Sequence, residues 1–116
     1  INYSNVMGNI AEFDNLQKNV WGNFVSKEMN KNNGSQVLWT TARKVSPNGN
    51  GYNWNYITID GYESYDDLLS PGWNSNTKFP ADLSKINSMM QGENFYKQVV
   101  WKIVMSVDSE GNFKEH

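Results

Sequence analysis

Cysteine is absent, histidine occurs once, proline three times, and no charge sign dominates the 116 residues. Without cysteine, disulfides, thiolate metal sites and cysteine nucleophiles are excluded. The one histidine is His116, the last residue, so no Ser/His/Asp arrangement can form inside the fold. Ten basic against twelve acidic residues give a formal charge of −2, and the scattered Lys and Arg leave no electrostatic footprint for nucleic acid. No apolar run approaches the roughly 20 residues that span a bilayer. Glycine-rich phosphate loops, nucleophile elbows and zinc motifs are also missing. The expectation is a chain with no intrinsic cofactor, no metal, no nucleic-acid partner and no membrane span. It begins at Ile1 rather than Met. That reads as removal of an upstream segment, either the leader of an exported protein or a trimmed stretch, and leaves the compartment open.

What the chain has is aromatic and neutral-polar character: five Trp, six Tyr and five Phe among abundant Asn. The length fits one domain over 1–116, and the aromatics must carry much of its core. Ile1 to Met7 alternates weakly, as an edge strand does. Asn9 followed by Glu12 is an N-cap with a capping-box partner, and Ile10, Phe13, Leu16, Val20 and Phe24 recur at helical spacing. The spacing predicts a helix over 9–32, closed by Asn32, Asn33 and Gly34. Residues 36–45 read as a strand with Val37, Trp39, Thr41, Arg43 and Val45 on one face. Residues 47–51 form a turn cluster, and Tyr52, Trp54, Tyr56 and Thr58 continue as the second arm of a hairpin. Ser64 with Asp67 caps a short helix, and Pro80 opens another that ends by Gly92. Residues 99–107 alternate strictly, with Val99, Trp101, Ile103, Met105 and Val107 on one face, and a polar tail follows. Strand, helix, strand, strand, helix, strand implies an α+β domain whose helices cover one face of an antiparallel sheet.

These features resemble the dimeric α/β-barrel superfamily, which contains antibiotic-biosynthesis monooxygenases and stress-responsive barrel proteins. The resemblance rests on Trp21 in the first helix, Val37-Leu38-Trp39 after a glycine turn, and Ser46-Pro47-Asn48-Gly49 in the hairpin. It rests further on Tyr56-Ile57-Thr58-Ile59 followed by Tyr62, and on Trp101 in the last strand. It implies a ferredoxin-like βαββαβ protomer whose sheet pairs with that of a second copy. The haem-binding branch uses a proximal histidine inside the fold, and here there is none.

Acidic pairs have structural uses. Asp66 and Asp67 suit a helix first turn, and Asp60 beside Gly61 suits a turn. What remains is an aromatic pocket with polar heads: Trp39, Arg43, Tyr56 and Trp101 on strands, with Asn23 and Tyr62 nearby. An Arg beside aromatic faces can bind a carboxylate, phenolate or enolate. The readings left open are a homodimer binding a small apolar or aromatic molecule, a cofactor-independent monooxygenase or isomerase, and an interaction domain without ligand. Both strand faces carry apolar residues, as in strands covered on two sides, so a homodimer is expected.

Overall fold

The computed structural model describes residues 1–45, 54–90 and 95–116, of 95–97 the backbone alone. The chain is a mixed α+β domain whose main sheet has four strands. These are β1 (Asn2–Ser4), β2 (Gln36–Arg43), β3 (Tyr56–Tyr62) and β4 (Phe95–Gln98). They lie in the order β2-β3-β1-β4, and every neighbouring pair is antiparallel.

The first helix begins where its capping signal lies, with Asn9 Oδ1 accepting from the Glu12 amide at 3.1 Å. It runs as α1 (Ile10–Leu16), a π-helical turn (Gln17–Trp21) and α2 (Gly22–Asn30). Its end is a Schellman closure: Asn32 takes φ 56°, its amide bonds Met29 O at 3.0 Å, and the Asn33 amide bonds Glu28 O at 2.9 Å. α3 (Tyr65–Leu69) is capped by Ser64 Oγ, which accepts from the Asp67 amide. α4 (Leu83–Met90) follows. Val6, Phe13, Leu16, Tyr56 and Ile86 form the core between helices and sheet, with Ile10, Val20, Trp21, Met89 and Met90 packed around it. Residues 71–79 bring Trp73 and Phe79 onto Phe24 at ring distances of 5.8 and 5.3 Å, so this loop covers the helix.

The last strand differs from the sequence expectation. Pairing with β1 is made by β4, residues 95–98, and ends where Ile1 and Val99 exchange hydrogen bonds. Residues 100–104 lie outside any strand. Among the described residues, Met105–Val107 (β5) pairs only with Phe113–Glu115 (β6), in a separate hairpin. The alternation over 99–107 marks an extended segment but does not fix its partner. Here register is set at the N-terminus of the chain, and the strongest alternating run is left outside the sheet. The polar tail also differs, since Phe113 and its neighbours form a strand. The turn at 47–51, Tyr52 and Gly92 lie outside the described residues.

Candidate functional site

Side chains alternate across a strand, so three contacts fix which sheet face meets the helices. The Tyr56 ring stands edge-on to Phe13 at 4.7 Å, the Arg43 guanidinium lies 3.3 Å from the Asp14 carboxylate, and Trp39 abuts Gly22. The register pairs Arg43 with Tyr56, Thr41 with Thr58, and Trp39 with Asp60. Trp39, Arg43, Tyr56 and Tyr62 therefore share the helix-facing side, as four of the six residues named from the sequence. The opposite face carries Tyr3, Leu38, Thr40, Ala42, Ile57 and Ile59.

Trp101 and Asn23 are not part of this set, and Tyr62 stands at its far end. Trp101 lies beyond β4 and is 68% exposed, so the aromatic row Trp39–Tyr56–Trp101 does not form within one chain. Asn23 is exposed and donates to Asn19 O at 2.9 Å, a bond along its own helix. Tyr62 sits at the far end of β3 opposite Gln36. Burial pushes its phenol up, and the nearby Asp60 carboxylate adds to the shift.

Arg43 is not a free anion receptor either, because Asp14 already neutralises it. Tyr56 is 2% exposed. Burial pushes its phenol up from its ordinary value; hydrogen bonding with Thr41 lowers it, while hydrogen bonding and charge at Asp14 raise it. At neutral pH it is a protonated donor, the wrong form for a general base. The Asp14–Arg43–Tyr56–Thr41 set joins α1 to the sheet as a polar clamp.

A second polar row crosses all four strands on the same face. Asn2 Nδ2 donates to Thr58 Oγ1 at 3.1 Å and Asp60 Oδ2 at 2.9 Å. Gln36 Nε2 donates to Asp60 Oδ1 at 2.7 Å, and Gln98 Nε2 to Asn2 Oδ1 at 2.8 Å. Asp60 is thus an acceptor inside the sheet, where the sequence pointed to a turn residue. Spacing within one segment cannot reveal such a row, since its members come from four strands.

The space for a ligand lies beside Trp39. α2 and the start of β2 diverge into an open groove of about 600 Å³ lined by Gly22, Val25, Met29, Val37, Leu38 and Trp39. Ser26, Lys27 and Asn30 form its polar margin. Gly22 permits the close approach. A Cβ there would lie 2.9 Å from Gln17 O and 3.2 Å from the Trp39 ring. Of the groove only Trp39 was named as a candidate from the sequence. The missing signal was Gly22 in the helix, where an interior glycine marks close packing. Among the described residues no cluster of three or more His, Cys, Asp or Glu could hold a metal, and no helix is long and apolar enough to cross a membrane. No protein-family model, curated protein or solved structure matches the chain.

Proposed function

We propose that this chain is a ferredoxin-like domain, paired as a homodimer through its open sheet face, that binds a small apolar or aromatic molecule in the α2–β2 groove. The observation that carries the ligand reading is the groove itself. It has an aromatic wall, an aliphatic floor and one cation at the lip, the composition of a site that cradles an apolar body and fixes a polar head. Lys27 favours a ligand with a carboxylate or sulfonate at that end. The strand order β2-β3-β1-β4, with helices inserted after β1 and β3, supports the ferredoxin-like assignment. The exposed Leu38, Thr40 and Ala42 on the face away from the helices support pairing. The reading as a cofactor-independent monooxygenase or isomerase needs a proton acceptor at the ligand. Tyr56 does not supply one, being protonated and buried against Phe13.

Titration with 8-anilinonaphthalene-1-sulfonate, an aromatic sulfonate, tests the site. Ser26→Trp, on the exposed groove margin, should lower its affinity at least tenfold, and Lys27→Glu severalfold. Lys18→Trp, at an exposed position the groove does not include, should leave it unchanged. Equal binding by all four proteins would remove the groove as the ligand site.

A further inference from the structure

The four-stranded face is small. Four strands about 4.8 Å apart and roughly six residues long present on the order of 400 Å², about half of the roughly 800 Å² per partner in a stable interface. A second uncovered apolar surface occurs on the same chain. After Val99 every residue is exposed, and Trp101, Ile103, Met105 and Val107 recur at every second position, with Phe113 at 73% exposure on the returning strand. At on the order of 100 Å² for each of these large side chains, the arm adds roughly 500 Å², which brings the total to the standard size. Among the described residues, the apolar ones most exposed on the sheet are Val37 and Leu38, at 48% and 46%, and they also line the groove.

We infer that in the homodimer each C-terminal arm crosses to the other copy and seats Trp101 and Ile103 on its Val37 and Leu38, closing the groove. The inference rests on the paired-sheet reading above. The sheet order places β4, from which the arm departs, at the edge opposite β2. A two-fold axis parallel to the strands and lying between facing sheets reverses that order. It sets β4 of one copy over β2 of the other. The arm is then delivered to the corner where the groove opens, and Trp101 of one chain faces Trp39 of the next. Each site is completed by a residue from the second copy. That accounts for two tryptophans of matching chemistry that do not meet within one chain.

The absence of cysteine makes a cross-linking test clean. Full-length Leu38→Cys and Ile103→Cys proteins, one carrying a size tag, are mixed, allowed to exchange and oxidised. A tagged–untagged disulfide dimer is expected, with Thr40→Cys cross-linking less. In the double variant at high dilution, an internal disulfide with no intermolecular product would mean that the arm folds back on its own sheet, and would overturn the inference. Absence of cross-linking in a protein that still sediments as a dimer would overturn the arm and leave the paired sheets standing. A monomeric wild type would remove both. Trp101→Ser, at a position exposed within the chain, should weaken the dimer at least tenfold and also lower binding of 8-anilinonaphthalene-1-sulfonate; unchanged dimer affinity counts against the arm.

Discussion

Gly22 shows how one residue decides the shape of the candidate site. In an exposed helix interior, alanine in place of glycine stabilises by about 1 kcal/mol. Here the added methyl would sit 2.9 Å from Gln17 O, the acceptor of the Gly22 amide, and 3.2 Å from Trp39 Cζ3. A backbone carbonyl cannot yield without loosening the π-helical turn, and overpacking of this kind costs about 1–3 kcal/mol. The steric term wins. Gly22→Ala should lower the unfolding free energy by about 1 kcal/mol in urea titrations, with a change in Trp39 fluorescence, while Ser26→Ala on the exposed face should not lower it. A gain in stability for Gly22→Ala would mean that Trp39 does not press on the helix.

At the scale of elements, much of the helical framework was legible because its signals are local. Asn9, Ser64 and Asn32 each act through groups within a few residues, and the stripe from Ile10 to Phe24 needs only helical periodicity. The π-helical turn was not legible, because it replaces one hydrogen-bond pattern with another without altering composition. The position of the last strand was not legible either. Alternation over 99–107 is the same for a sheet strand and for an arm, and Ile1 decides where pairing stops. Of the candidate site, Trp39 was visible as an aromatic on a strand. Arg43 looked free because its counter-charge, Asp14, comes from a distant helix.

The loop after α3 is held by another contact between remote elements. Asn33 Nδ2 donates to Glu28 Oε2 at 2.7 Å and Thr77 Oγ1 at 2.8 Å, and Asn33 Oδ1 accepts from the Asn74 amide at 2.8 Å. The Asn33 hydrogen bond holds the Glu28 carboxyl below its ordinary range, against a smaller opposing effect of desolvation, and Lys31 adds to the lowering. A carboxyl with a depressed folded value adds stability that is present above its unfolded value and lost as pH falls through the folded one. The loop's hold on α2 should therefore weaken on the acid side, at a midpoint below that of a free glutamate. The Asn33 side-chain and Asn74 backbone amide resonances should titrate together at that midpoint, and Glu28→Gln should abolish the titration. A midpoint at the ordinary glutamate value would show that Asn33 does not grip the ionised form.

For the molecule as a whole, the unbalanced quantity is apolar surface. Trp73 and Phe79 lie against the helix, so their loop does not cover the open sheet face. Tyr3 meets Trp54 at 5.1 Å, with Lys44 Nζ 4.7 Å from the Trp54 ring. Those contacts shield one corner and leave Leu38, Thr40 and Ala42 exposed. The arm is a second uncovered apolar patch, on the order of 500 Å², as large as the largest single patch a monomer usually carries. In an isologous dimer each residue of the face occurs twice, so one charge introduced there is buried as two like charges. Ile59→Lys should therefore convert a micromolar dimer to monomer in sedimentation velocity. Its far-ultraviolet circular dichroism should be retained, because Ile59 points away from the Phe13–Tyr56 core. Ile86→Ala, inside that core at 3% exposure, should do the reverse: lower the unfolding free energy by about 2–5 kcal/mol while the folded fraction still pairs. A wild-type monomer at micromolar concentration, or an Ile59→Lys dimer as tight as the parent, would mean that the sheet face is not the interface.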